Sequence, residues 1–206
     1  DGRWLSQLPD VSADFIACLS RIKMMPRTGW ISHGVMLQDV ESVADHTFST
    51  STLAMLLADL ECEQGRRVDV ERVLRMALLH DLAEALTFDI SKTYLEYLGK
   101  NGEAIKRKVE QAAWTHMVKS IRGRSLRMKY ARLQCEFDAE ETLESQIVHA
   151  ADKLDILFQA VEYHRKGYPR RILSDLWKST NRSLSRSKLP SVKNLRKIAV
   201  RLWASR

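Results

Sequence analysis

Four residues in this chain stand where a folding protein would place apolar side chains. His80 and Asp81 sit inside RVLRMALLHDLAEAL, His46 inside VADHTFSTSTLAMLL, and Asp152 inside IVHAADKLDILFQAV. Leaving a charge buried and unpaired costs several kcal/mol per ion even after relaxation. A metal ion offsets that cost, because it neutralises carboxylates and uses imidazole lone pairs. Two histidine nitrogens and two carboxylates form an N2O2 set. Such a set suits one divalent transition ion (Mn, Co, Fe, Ni or Zn) and leaves two octahedral positions open for water or substrate. Glu84, one helical turn beyond His80, is a further carboxylate carried into the same apolar stripe. Asp155 follows Asp152 by three residues and suits a carboxylate that orients a ligand.

Each residue taken singly also has a plainer reading. A lone histidine at a helix edge is usually structural, and His33, His116, His149 and His164 are read that way. Asp45 opens a helix and reads as its cap, and Asp89 can cap the helix that follows it. Glu84 can pair with an arginine on a helix surface. The set of His46, His80, Asp81 and Asp152 is far more specific than the His-Asp pair alone.

The elements that must bring this set together are helices. Apolar residues recur at helical spacing over residues 11–24 (Phe15, Ile16, Leu19, Ile22) and 42–60 (Val43, Phe48, Leu53, Leu56, Leu57, Leu60). Residues 70–86 form a third helix, capped by Asp69, with Val70, Val73, Leu74, Ala77, Leu78, Leu82 and Ala85 as its stripe. A fourth covers residues 101–119, with Ile105, Val109, Ala112 and Ala113 facing inward. A long helix over residues 140–164 carries Leu143, Ile147, Ala150, Leu154, Leu157 and Val161, and Gly167 and Pro169 end it. No alternating β-branched runs occur, and 8 Gly and 4 Pro are too few for a punctuated β-sandwich. The fold class expected is all-α.

Among the 206 residues, 45% are hydrophobic and 29% charged, as in an ordinary soluble domain with a core of its own. No apolar run reaches transmembrane length and no signal peptide opens the sequence, so a cytoplasmic protein is expected. Cys18, Cys62 and Cys135 form no paired motif and read as reduced, mostly buried thiols. The net charge of +7 is uneven: residues 164–206 hold 13 Lys and Arg against one acid, Asp175, while the rest of the chain is mildly acidic. The expected division is therefore a domain over 1–168 and a basic, partly helical extension over 169–206. Ile172, Leu173, Leu176 and Trp177 suit one short helix there, and Leu195, Ile198, Ala199, Leu202 and Trp203 another. The serine-rich stretch between them reads as a flexible linker. The apolar spacing favours packing of this extension over a free nucleic-acid arm.

The segments MPRTGW, ESVADHTF, RMALLHDLAEALTFDI and HAADKLDILFQAVEY, in this order, resemble the HD-domain metal-dependent phosphohydrolases. Within that superfamily they are most similar to the HD-domain 5′-deoxynucleotidases. The resemblance covers residues 11–168. It implies an HD-type helical bundle with His46, His80, Asp81 and Asp152 as metal ligands. Glu84 would handle the proton of the attacking water or leaving oxygen, and Asp89 would be a second catalytic acid. Arg27 would hold the substrate phosphate, with Trp30 near the nucleoside. Phe88 stands where the family usually presents glycine, a change that bears on the shape of this loop. The implied reaction is hydrolysis of deoxyribonucleoside 5′-monophosphates, and the implied assembly a homodimer. Two alternatives stay open: an HD phosphohydrolase of triphosphates, cyclic nucleotides or guanosine polyphosphates, and a non-catalytic module that binds nucleic acid through its basic tail.

Overall fold

The computed structural model describes residues 13–205. The helices are α1 (Ala13–Ile22), α2 (Thr28–Ser32), α3 (Val43–Glu63), α4 (Val70–Leu79), α5 (Glu84–Thr87), α6 (Lys92–Tyr97), α7 (Gly102–Lys119), α8 (Arg124–Ala139), α9 (Leu143–Arg165), α10 (Arg170–Ser185) and α11 (Pro190–Ala204). Among the described residues there is no strand beyond an isolated bridge of Pro26 with Ser42, so the all-α expectation holds. No helix there is long and apolar enough to cross a membrane.

Helix α9 is the central element. Ile147, Ala151, Leu154, Leu157 and Ala160 are fully buried, because α3, α4, α8, α10 and α11 all pack around it. Its alanines let α3 approach closely, opposite Ala54, Leu57 and Ala58. Local chemistry fixes where these helices begin. Ser42 and Asp45 form a reciprocal capping box on α3, Asp69 caps α4, and Thr142 caps α9. A second, smaller apolar cluster joins Cys18 and Ile22 of α1 to Leu82 and Ala85 and to Trp114, Met117 and Val118 of α7.

Several expectations need correction. Residues 11 and 12 of the first predicted helix lie outside the described residues. Leu19, Phe48, Leu56 and Leu78 point outward, each more than a third exposed, because the stripes they belong to are narrower than their apolar content. On α7, Ile105, Val109 and Ala112 are exposed, and Trp114, Met117 and Val118 face the core instead. Residues 70–86 do not form one helix: α4 stops at Leu79, and residues 82–86 continue with tighter i→i−3 bonds. The loop carrying Arg27 contains the single helical turn of α2. Cys62 and Cys135 are exposed free thiols on outer helix faces, and only Cys18 is buried.

The serine-rich stretch is helix rather than flexible linker over most of its length. It completes α10, and Pro190 begins α11. Leu173, Trp177, Leu184, Leu189, Val192 and Ala199 belong to the same apolar core as α9. Trp203 stacks on Trp177 with ring centroids 4.3 Å apart. Glu61, fully buried in α3, accepts hydrogen bonds from the backbone N–H and hydroxyl of Ser191 and pairs with Arg66. This carboxylate sits at the N-terminus of α11, where unpaired N–H groups favour an anion.

Candidate metal centre and substrate cleft

The break after Leu79 resolves the main difficulty of the sequence motif. Two adjacent residues of an uninterrupted helix diverge by about 100°. Here His80 and Asp81 occupy a tight turn where the main core meets the smaller cluster, and both converge. His80 Nε2 lies 3.3 Å from Asp81 Oδ2. From α3, His46 reaches the same point: its Nε2 is 3.4 Å from His80 Nε2 and 3.6 Å from Asp81 Oδ2. From α9, Asp152 brings Oδ1 to 3.3 Å from His46 Nε2. Helix α3 and the turn after α4 thus bring His46, His80 and Asp81 together, and α9 sets Asp152 beside His46.

The donor chemistry fits a cation. His80 Nδ1 is 2.7 Å from the carbonyl of Ala77, which can only accept, so Nδ1 carries the proton. His46 Nδ1 is 2.7 Å from Asp155 Oδ2 and donates in the same way. With both rings neutral, the Nε2 atoms would present lone pairs to each other and to the carboxylates of Asp81 and Asp152. Without a cation this arrangement is repulsive. Burial and the charge of Arg27 push the His46 imidazole down, yet hydrogen bonds to Asp152 and Asp155 outweigh them and lift it to about 10. The surroundings therefore demand one positive charge at this point, and a divalent ion supplies it with ligand types it prefers. Asp155 does the orienting expected of it, locking the His46 ring from behind.

The carboxylates are held ionised by the same neighbours. Burial pushes the Asp81 carboxyl up, but His80 and Arg27 overcome this and keep it well below the usual range. Asp152 is likewise depressed to about 2, its burial outweighed by His46. Glu84 moves the other way. It is 4% exposed, its Oε2 has no hydrogen-bond partner, and burial together with Asp81 raises its carboxyl well above the usual value. It is a buried acid of this site rather than half of a surface pair.

Arg27, just before α2, places Nη1 2.9 Å from Asp81 Oδ2 and 4.0 Å from Glu84 Oε2. Its loop is fixed by Asp89, whose Oδ2 accepts from the Thr28 N–H at 2.6 Å while its carbonyl accepts from the Thr28 hydroxyl. Asp89 is thus tied to the loop that presents Arg27. Trp30 is 2% exposed, donates to Glu41 Oε1 at 2.8 Å and meets Tyr163 edge-on. It contributes to the cleft as a buried wall. Phe88 adopts φ 64° and ψ 159°, a conformation suited to glycine, so the loop keeps a glycine-type shape despite the substitution.

Arg27, Trp30, Asp81, Glu84, Asp89 and Asp152 line one cleft of 280 Å³, near the lower end of small-molecule pockets. A second hollow of 360 Å³, between α7, α8 and α9, reaches His80, Asp81, Glu84 and Asp152 from the other side. Lys106 and Lys153 border both. Lys106 is kept protonated: burial lowers it, but Glu110 and Glu84 outweigh that. Sequence reasoning missed Lys106, Ser91 and the contribution of α10 to the cleft. Lys153 lay within the AADK segment, and Leu176, Ser179, Thr180 and Ser183 recur at helical spacing. Lys106 carried no signal in the sequence.

Comparison with known proteins gives the family. A family model described as the HD domain matches residues 19–193. The 5′-deoxynucleotidase hdd1 of Schizosaccharomyces pombe is 32% identical over 74% of this chain and 72% of its own length. The 5′-deoxynucleotidase HDDC2 of Xenopus laevis is 30% identical over 81% of this chain and 76% of its own. Among solved structures, a Pyrococcus horikoshii protein superposes with a TM-score of 0.74 at 31% identity, covering 91% of this chain and 98% of that one. An HD-domain phosphohydrolase of Listeria innocua shares the fold, with a TM-score of 0.77 at 21% identity over 93% of this chain and 89% of its own. With a matching family model over residues 19–193 and relatives at 30% identity or more over most of its length, the chain belongs to the HD-domain family.

Proposed function

We propose that this protein is a metal-dependent phosphohydrolase that removes the 5′-phosphate from deoxyribonucleoside 5′-monophosphates. The observation that carries the reading is the convergence of two imidazole lone pairs, two ionised carboxylates, a guanidinium and a buried acid on one cleft. The names of the relatives point to the substrate class. In this reading His46, His80, Asp81 and Asp152 hold one divalent transition ion. When bound, it supplies a Lewis-acidic charge for a phosphoryl oxygen and lowers the pKa of water. Arg27 binds the remaining phosphoryl oxygens, since its planar fork matches phosphate geometry. Its contact with Asp81 holds it in place before substrate arrives. Lys106 and Lys153 add positive charge at the cleft border. Glu84, kept protonated by burial and by Asp81, donates its proton to the departing 5′-oxygen. Asp89 positions Arg27 through Thr28, a supporting role that refines the catalytic one implied by the resemblance. Water attacks phosphorus opposite the leaving oxygen, so the P–O5′ bond breaks as the new P–O bond forms; the proton the water sheds passes to solvent, Glu84 regains one from solvent, and no covalent enzyme intermediate is needed.

The same reading makes the protein a cytoplasmic homodimer. Three free cysteines support a reducing compartment. Exposed Tyr94, Tyr97 and Leu98 near α6 offer apolar surface to a second copy, which sedimentation would detect. The deciding experiment measures phosphate release from 5′-deoxynucleotides, 5′-ribonucleotides, 3′-nucleotides, nucleoside triphosphates and cyclic nucleotides. It uses protein stripped of metal and refilled with Mn or Co, with Asp81→Ala as control. Release from 5′-deoxymonophosphates that is lost in Asp81→Ala is the expected result. Pyrophosphate release, ring opening, or metal binding without any phosphate release overturns the reading.

A further inference from the structure

The basic C-terminal segment has no role in the chemistry described so far, yet α10 forms one wall of the cleft. Leu176, Ser179, Thr180 and Ser183 all line it. Their spacing of three, four and seven residues puts them on one helical face. A second face, Leu173, Trp177 and Leu184, is buried in the core. The charged residues lie elsewhere: Arg171, Asp175, Lys178, Arg182 and Arg186 are all exposed and none lines the cleft. The helix therefore turns its basic residues to solvent and a neutral, hydroxyl-bearing face to the substrate side.

The cleft is consequently polarised. One side carries Arg27, Asp81, Glu84 and Asp152. The four residues that α10 contributes carry no charge, and Ile156 of α9 lines the same cleft, while Lys153, one turn before Ile156, and Lys106 stand at its border. A phosphate belongs at the first side, and an uncharged heterocycle suits the second. Resting on the nucleotidase reading above, we infer that the α10 face is the nucleobase wall and that Ser179, Thr180 and Ser183 set how bases are recognised. Leu176 and Ile156 cover the ring. The Ser179 hydroxyl already donates to the carbonyl of Leu176 at 3.0 Å, so it meets a base as an acceptor. The Ser183 hydroxyl makes no hydrogen bond among the described residues and rotates to donate or accept. A wall of rotatable hydroxyls accommodates several bases rather than selecting one.

The test compares each 5′-deoxynucleotide with 2-deoxyribose 5-phosphate, which presents the same reacting ester without a base, using the metal-loaded full chain. The readout is the ratio of the two kcat/KM values. Titration of the deoxynucleoside product, which lacks the phosphate, gives a binding readout independent of turnover. The double variant Ser179→Ala with Ser183→Ala is expected to lower the ratio and weaken nucleoside binding by roughly tenfold per hydrogen bond lost. Ser183→Trp, which fills the wall, is expected to remove the nucleotide advantage altogether. Lys178→Ala with Arg182→Ala, on the solvent face, is expected to leave both readouts unchanged. The inference is overturned if the wall variants keep the wild-type ratio and nucleoside affinity. It is also overturned if wild-type protein does not favour nucleotides over deoxyribose phosphate, or if the solvent-face variant lowers the ratio as much as the wall variants. If wild-type protein releases no phosphate from any nucleotide, the nucleotidase reading falls, while the nucleoside titration still decides whether α10 is a base-binding wall.

Discussion

Replacing Phe88 by glycine should stabilise this protein, although it deletes an aromatic side chain. Phe88 sits at φ 64° and ψ 159°. Residues with a Cβ are almost excluded from this region, and holding one there costs of order 1–3 kcal/mol. Its ring is 65% exposed, so little apolar burial is lost on removal. Glycine gains freedom in the unfolded chain and gives back about 0.5–1 kcal/mol. Alanine is the control that separates these contributions. It loses the same ring but keeps the strain, because it keeps a Cβ. Phe88→Gly should therefore be more stable than Phe88→Ala by about 1–2 kcal/mol, the strain relieved less the added unfolded-state freedom. For a chain of this size that corresponds to roughly 2–6 °C in Tm. Urea denaturation of both variants, with Tm by calorimetry, measures the difference. If Phe88→Gly is no more stable than Phe88→Ala, the loop is not strained at this position and the argument fails.

Three further outcomes follow from the geometry. Asp155→Ala removes the acceptor behind His46 and should weaken metal affinity by about 10–100-fold, read by competition with a chelator. Burial, and then Asp155, raise the Glu41 carboxyl from 4.5 to about 7, so its proton stabilises the fold at low pH and that contribution is lost as pH rises from 4.5 through 7. Glu41→Gln in metal-free protein should accordingly flatten the stability–pH profile across that window by at most about 3 kcal/mol, and an unchanged slope between pH 5 and 8 would count against it. Glu61→Ala strips the N-terminus of α11 of its buried acceptor and should cost about 2–3 kcal/mol in urea unfolding. Glu61→Gln, which keeps an acceptor oxygen, should lose less.

The proposed metal-ligand set was legible because polar groups within apolar helices break a periodic pattern. His46, His80, Asp81 and Asp152 stood out for that reason, and α9 was readable because nearly every apolar position along it is buried. Where the sequence misled, the cause was tertiary. Helix α7 carries apolar residues on two faces, and periodicity cannot say that Trp114 and Met117 rather than Ile105 and Val109 meet the core. The second half of helix α10 read as linker because its polar residues satisfy two unrelated environments, cleft and solvent, leaving only a narrow apolar stripe. Lys106 reaches the site only because α7 packs against α5, a relation that no local pattern encodes. The break after Leu79 left no glycine or proline behind, so it was invisible, yet it lets adjacent His80 and Asp81 converge.

The clamp of Glu61 on Ser191 bears on the order in which the protein becomes functional. During synthesis the chain emerges from its N-terminal side, and His46, His80, Asp81 and Asp152 all precede α10 and α11. The residues proposed to hold the ion are therefore synthesised before the α10 wall of the cleft. Glu61 of α3, already paired with Arg66, gains its hydrogen bonds from Ser191 only when the C-terminal pair of helices seats on α9. The α10 side of the cleft is thus the last part of it to be built, after all four residues proposed to hold the ion have been made.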